Sequence, residues 1–353
     1  MRRVHPLLHA ALVRRGGVFT TADAVAAGYT RHGIAAQLRS GRWHAVRYGV
    51  CTTQEIWHAY VSTGQEHGLE AAAVLARLGR DSAVVSHDAA ARLHDLVVPA
   101  GSSPTVTLTD PERFRVGRGY RVLAAGLPGT DTTTVGGLPA TSLNRTLLDV
   151  GRDWGVTDAV VALDDALADG RTTPDELAAG VLGQRHWVGI GEAAAAVRLA
   201  RVGAHSPLET LTRLAFGASG LPEPVLQAAV LRDGRLVAVL DMHWPGTPAF
   251  GEVDGRVKWT DPWRGRSPAD VGWEEKRRHD VLVDLGLAGT RVAQGDLATG
   301  MPAKAARVRS LLAQPLVLPP GVVIVPWRDG LRRVPRATPW TPPVIGGSQD
   351  RTA

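Results

Sequence analysis

The sequence predicts a multidomain protein of the α+β / α/β class, and three observations lead there. The chain has 353 residues, enough for two or three domains that each bury a core. Apolar residues recur at helical spacing in some stretches and in alternation in others. The charge is unevenly spread: the whole chain carries +6, yet residues 1–50 hold eight arginines against a single acid, Asp23. The basic excess therefore sits at the front of a nearly neutral body, as in a polyanion-binding module joined to other domains. The expected division is a basic module over 1–55, a mixed α/β middle region over 56–200, a C-terminal core over 201–315 and a tail over 316–353.

Composition excludes several classes. A hydrophobic content of 44% is ordinary for a folded chain. No apolar run approaches the ~18 residues of a membrane span, and Arg14 and Arg15 interrupt the first apolar stretch, which does not read as a signal peptide. The single cysteine, Cys51, allows neither an internal disulfide nor a cysteine cage for zinc. The expectation is a soluble, cytoplasmic protein with no membrane partner.

The basic module reads as three helices and a hairpin. Residues 6–15 have helical apolar spacing and stop at Gly16-Gly17. Thr20 and Asp23 have capping-box spacing and open a second helix that ends near Gly28. Thr30 caps a third helix, residues 31–40, with Gly41 just beyond its end. Ile34 and Leu38 form its inward stripe and leave Arg31, His32 and Arg39 outward. Residues 43–50 alternate and read as a hairpin. This is the winged helix-turn-helix plan, whose last helix enters the major groove of DNA. Arg42 and Arg47 on the wing are candidates for phosphates, Arg31 and Arg39 for guanine edges. Neutralising ~4 phosphates would give a salt slope near −3.6. A small helical interaction domain with a solvated basic face is the alternative. From Thr20-Thr21-Ala22-Asp23 through Gly41-Arg42-Trp43 to Arg47-Tyr48-Gly49-Val50, the module resembles the N-terminal winged helix of AbiEi-type antitoxins, the transcriptional autoregulators of type IV toxin–antitoxin pairs. The resemblance implies DNA as a partner and, in that setting, a cognate toxin.

In the middle region, residues 86–93, 142–150 and 158–168 read as helices and 105–108 as a strand. Thr173-Pro174-Asp175-Glu176 starts another helix. His87, Asp88, His94, Asp149, Asp164 and Asp165 are the chemistry-bearing residues here. They lack metal-ligand spacing and are expected to cap, pair or face solvent. This region resembles the part that follows the winged helix in the same antitoxins, which assigns no catalytic role.

The C-terminal core reads α-β-β-β-α-β. Ser206-Pro207-Leu208-Glu209 opens a helix running to about 218. Strands follow at 224–231, 236–243 and 250–254, then a charged helix over 269–286 and a short strand at 290–292. Asp241 lies near the end of the second strand, and Glu252 and Asp254 share a face of the third. Three carboxylates would converge. At ~4 Å two such charges repel by about 4 kcal/mol at an effective dielectric near 20, so the cluster holds raised pKa values or a hard divalent ion. Mg²⁺ with metal-bound water would suit phosphodiester hydrolysis. The run SPLET…LPEPVLQ…VAVLDMHWP…GEVDGRVKWTDP…EEKRRHDVL…TRV, roughly residues 205–295, is similar to the very-short-patch-repair-like branch of the PD-(D/E)XK nuclease superfamily. The resemblance implies a restriction-endonuclease-like core, with Asp241 and Glu252 as the motif carboxylates and Mg²⁺ ligands. It puts Asp254 where the superfamily's usual lysine stands.

Lys258, one of only three lysines, is the candidate substitute for that lysine, because an ammonium can shift its pKa and a guanidinium hardly can. A solvated surface position is its other reading. Glu209 is a further candidate by the resemblance, and it is also the fourth residue of a capping box, which would fold it back on its own helix. Glu274, Glu275, Arg277 and Arg278 are expected on a solvated helix face, with Arg277 and Arg278 able to meet phosphates. The tail from about Gly330 is proline-rich and expected to be partly disordered. Two functions follow: a DNA-binding protein with a metal-dependent endonuclease domain, or a non-catalytic transcriptional regulator or antitoxin, either of which a two-fold dimer would suit.

Overall fold

A computed structural model describes residues 4–254 and 268–327, and of residues 268–275 only the helical backbone. The described residues form two compact units, one on 4–162 and 174–197, the other on 163–173 and 198–327. The described residues are mixed α/β, with three sheets among them. No helix among the described residues is long and apolar enough to cross a membrane.

The first unit begins with α1 (Pro6–Arg14), β1 (Phe19–Thr20), α2 (Thr21–Ala26), α3 (Arg31–Arg39), β2 (Trp43–Arg47) and β3 (Val50–Thr53). The three strands pair antiparallel in the order β1-β3-β2. The caps lie where the sequence puts them. Thr20 and Asp23 exchange both bonds of a capping box, and Thr30 Oγ1 accepts the Gly33 amide at 3.1 Å. Gly41, at φ +69°, takes the left-handed turn that ends α3 and points the chain into β2. Trp43 is buried against Phe19 edge-on at 4.7 Å and Tyr29 at 4.9 Å, so the hairpin is fixed to the helices from inside.

The rest of this unit is built on α4 (Gln54–Ser62), α5 (Glu66–Leu78), β4 (Val84–Val85), α6 (His87–Leu93), β5 (Val106–Asp110), β6 (Arg115–Gly117), β7 (Tyr120–Ala124), β8 (Thr132–Val135), β9 (Leu138–Thr141), α7 (Leu143–Asp153), the first part of α8 (Val156–Ala168), α9 (Pro174–Gly183) and α10 (Ile190–Leu199). Its strands make one mixed sheet, β6-β7-β5-β4-β9-β8. A single apolar cluster runs from Leu8 and Leu12 through Leu69 and Val74 to Leu108 and Leu138, so the basic module and the sheet share one core.

The second unit has α11 (Pro207–Ala218), β10 (Val225–Arg232), β11 (Arg235–His243), β12 (Ala249–Asp254), α12 (Pro268–Asp284), β13 (Ala288–Ala293), α13 (Asp296–Thr299), α14 (Met301–Leu312) and β14 (Val322–Pro326). Its sheet runs β13-β12-β11-β10-β14, with only β12 and β13 parallel. Phe216, Met242, Val253, Val292 and Val308 belong to one apolar cluster, and Val230, Leu240, Phe250, Leu282 and Leu285 to another, so helices α11 and α14 share one core with the sheet and α12 the other. One element departs from the expected division. Residues 322–326, grouped with the tail by composition, form β14 and complete the sheet beside β10. The reason is apolar: Val322 is buried and joins the core. The tail from Gly330 lies outside the described residues.

Candidate functional site

The open face of the basic module is assembled by α3 and the hairpin. Ile34 is buried beneath α3, which leaves Arg31, His32 and Arg39 exposed on it; Arg42 is exposed at the foot of β2. Among the described residues none of these four has an ion-pair partner. Tyr48 stands 91% exposed at the tip of the hairpin.

Arg47 departs from the expectation that it meets phosphates. It turns inward: Nε donates to Glu70 Oε2 at 2.8 Å, Nη1 to the Arg118 carbonyl at 2.8 Å and Nη2 to the Gly119 carbonyl at 3.0 Å, and the guanidinium lies over the Tyr120 ring. Its donors bind α5 and the turn between β6 and β7. Sequence periodicity gave its position on the hairpin but not the acid and carbonyls that a distant segment brings to it.

The polar residues of the middle region are occupied structurally. Asp149 is fully buried and accepts from Arg145 Nε and Arg152 Nη2. His87, buried at a left-handed φ of +52°, shares Nδ1 with Ser86 Oγ at 3.0 Å. Burial holds its pKa below the usual histidine value, against the pull of Asp149. Asp88 accepts from Trp154 Nε1, and His94 Nε2 meets the Thr141 carbonyl, each at 2.8 Å. In the second unit Asp165 pairs with Arg171. Asp164 pairs with Arg213 at 2.9 Å and also accepts from Thr210 Oγ1 and the Arg201 amide. Burial pushes the Asp164 carboxyl up, and these partners offset that only in part.

In the second unit two candidate carboxylates, Asp241 and Glu252, fall on one row across the sheet, and Asp254 lies two residues further along β12, in register with Ala293. Glu252 pairs in register with Arg291 of β13. On its other side, backbone pairing between β11 and β12 runs only through Met242↔Gly251 and His243↔Phe250. One step beyond, the Asp241 carboxylate takes over: its Oδ2 accepts the Val253 amide at 2.8 Å. The β10 partner row is irregular at the same level. Leu226↔Met242 and Ala228↔Leu240 flank Gln227, which has φ +49° and directs Nε2 to Glu209 Oε2 at 3.2 Å. Positions 227, 241, 252 and 291 thus form a polar row across the sheet, and Gln227 joins Glu209 of α11 to it. Gln227 was not anticipated, although it is the one amide inside an apolar strand.

Each acid on this line has protein partners. Glu209 caps α11 with both oxygens, Oε1 accepting from Ser206 Oγ at 2.9 Å and Oε2 from the His205 amide at 2.8 Å. It caps one residue further back than the simple capping box expects. Glu252, 7% exposed, meets Arg278 Nη2 through Oε1 and Arg291 Nη2 through Oε2 at 3.4 Å. Asp254 faces Arg291 Nη1 at 3.6 Å. Arg278, expected on a solvated face, turns in to this site and also donates to the Val239 carbonyl. The alternatives drawn from the sequence, raised pKa or a metal, left out a third that the fold uses: guanidinium neutralisation. Lys258 lies outside the described residues. Among the described residues no group of three or more His, Cys, Asp or Glu side chains is placed to hold a metal ion.

No family model matches the chain, and no curated protein matches it.

Proposed function

We propose that this protein binds duplex DNA through the face made by α3 and the β2–β3 hairpin, as a winged helix-turn-helix does. One observation carries the reading: Arg31, His32, Arg39 and Arg42 stand together in sequence and exposed, without a described acidic partner, on elements anchored from below by Ile34 and Trp43. Uncompensated cations of this kind suit backbone phosphates, and arginines near a helix end suit guanine edges. The resemblance to AbiEi-type antitoxins supports the same reading and adds its context. The protein would then act as a transcriptional regulator, as a homodimer on a palindromic operator, with a cognate toxin as partner. Selection from a random duplex library tests it. A defined motif should emerge, and Arg39→Ala should lose about 1–3 kcal/mol of discrimination at one base step. Recovery of no motif, or equal binding by Arg39→Ala, would count against it.

A second reading concerns the second unit, and two observations favour it: the order α-β-β-β-α-β, and the placing of Asp241 and Glu252 on neighbouring strands where backbone pairing stops. With the nuclease resemblance, these support a restriction-endonuclease-like core that cuts DNA with Mg²⁺. The hard oxygen donors suit such an ion in kind. Their present engagement does not: Asp241 Oδ2 holds the Val253 amide and both Glu252 oxygens face arginines. The residues as placed do not fit a divalent ion. Incubating supercoiled plasmid with Mg²⁺ decides the matter. Nicking by the wild type and none by Asp241→Asn or Glu252→Ala supports the nuclease; equal nicking by all three, or none at all, leaves the regulator reading.

A further inference from the structure

The β2–β3 hairpin does not stand alone on its side of the first unit. Arg47 of β2 donates to the carbonyls of Arg118 and Gly119, the two turn residues between β6 and β7. That turn is therefore hydrogen-bonded to the wing, one residue from its exposed tip at Tyr48. Two glycines allow the approach. Gly119 takes a left-handed φ of +71°, and a Cβ there would press on the Arg47 guanidinium. At Gly117 a Cβ would collide with the Tyr120 ring. Two guanidiniums share that ring, Arg47 from the wing at 5.8 Å and Arg115 from β6 at 5.9 Å. Pairing of β7 with β5 from Tyr120 to Ala124 holds the β6–β7 hairpin in place independently of Arg47.

The hairpin beside the wing is itself basic. Arg113, Arg115 and Arg118 are exposed and have no ion-pair partner among the described residues. The acids that precede them, Asp110 and Glu112, are both engaged with Arg80. Free guanidinium forks suit phosphate oxygens. β6 is also an edge strand, with Phe114 and Val116 exposed on it. A second copy of the chain pairing there would bring the same arginines to the same edge, and like charges oppose that. A phosphate backbone meets them with opposite charge.

We infer that the β6–β7 hairpin is a second DNA-contacting element, in which Arg115 and Arg118 hold phosphates of the duplex that runs on past the wing tip. This rests on the DNA reading of α3 and the wing, and lengthens the footprint of that site.

Salt titrations of the full-length protein on two duplexes of shared sequence, about one and about two helical turns long, test the inference by fluorescence anisotropy. On the short duplex, wild type and Arg115→Gln/Arg118→Gln should give the same slope of log K on log salt, set by α3 and the foot of the β2–β3 hairpin. On the long duplex wild type should be steeper than the double variant by about 0.9 for each added phosphate, near 1.8 for two. The carbonyl of Arg118, not its side chain, accepts from Arg47, so Arg118→Gln alone keeps that contact. It should remove about 0.9 of the slope, and it answers the same question if circular dichroism shows the double variant unfolded. Wild-type slopes for both variants on the long duplex would overturn the inference and leave the α3 reading standing. An equal loss on both duplexes would also overturn it, as a general effect of charge. Wild type that binds neither duplex would defeat the DNA reading and this inference with it. Variants that keep the wild-type slopes but lose a dimer seen by sedimentation would put a second copy of the chain on β6 in place of DNA.

Discussion

Glu209 spends both carboxylate oxygens within its own surroundings, on Ser206 Oγ, the His205 amide and Gln227 Nε2. Removing it takes away the returning half of the α11 cap, Ser206 keeping its own bond to the residue-209 amide, and removes the acceptor of the buried Gln227 amide, which should cost about 1–2 kcal/mol. Glu209→Ala is therefore expected to unfold at lower urea than wild type while binding DNA as well as wild type does; an unchanged midpoint would contradict this. Arg47 makes a similar case. Its guanidinium is bound to Glu70 and two carbonyls, so Arg47→Ala should lower stability and leave the salt dependence of DNA binding unchanged. A shallower salt slope in that variant would return Arg47 to the DNA face. At this scale the sequence showed which residues are chemically capable. It could not show which of them a distant segment would occupy, because the partners of Arg47 lie some twenty and seventy positions away.

The elements whose signals were local were legible. The caps at Thr20, Thr30 and Ser206, with the apolar stripe under α3, placed the helices of the basic module and the start of α11 to within a residue or two. The alternation in β10, β11 and β12 placed the three strands that carry Asp241 and Glu252. Most of the middle sheet was not legible. β4 has two residues, β6 is exposed and β8 is a run of threonines, so none shows an apolar alternation. These strands exist because their neighbours in the sheet pair with them. A buried ion pair also joins elements whose connection the sequence did not show. Asp164 of α8 and Arg213 of α11 are each 1% exposed in the side chain. Truncating Asp164 leaves the buried Arg213 with only the half-exposed Glu223 as a counter-charge. Asp164→Ala is expected to cost about 3–5 kcal/mol by urea denaturation, and a loss under about 1 kcal/mol would contradict the assignment.

For the whole molecule, the pH dependence of stability follows from buried bases. Burial lowers the pKa values of His67, His87 and His243. A base whose proton is disfavoured in the folded state binds fewer protons than the unfolded chain does. Stability is then complete at and above the unfolded histidine value of about 6.5 and falls as the pH drops below it. His87 faces Asp149 and Asp153, which favour its proton, and Arg152 and Arg121, which oppose it. His87→Asn keeps a residue that tolerates the left-handed φ and should flatten the fall between pH 6.5 and 5; an undiminished slope would show that His87 does not contribute. The charge of the chain divides along similar lines. The arginine excess lies in residues 1–50, and three of its arginines, Arg31, Arg39 and Arg42, are exposed with no ion-pair partner among the described residues, whereas Glu252 and Asp254 of the second unit are met by arginines of that unit. The DNA contact proposed above therefore rests on α3 and the foot of the hairpin. The most direct measurement is the affinity for a duplex oligonucleotide as a function of salt, by fluorescence anisotropy, for wild type and for Arg31→Ala/Arg39→Ala/Arg42→Ala. With ~3 phosphates neutralised, wild type should show a slope of log K on log salt near −2.7, and the triple variant should lose most of both affinity and slope. Equal slopes for the two proteins would place the DNA elsewhere and contradict the assignment.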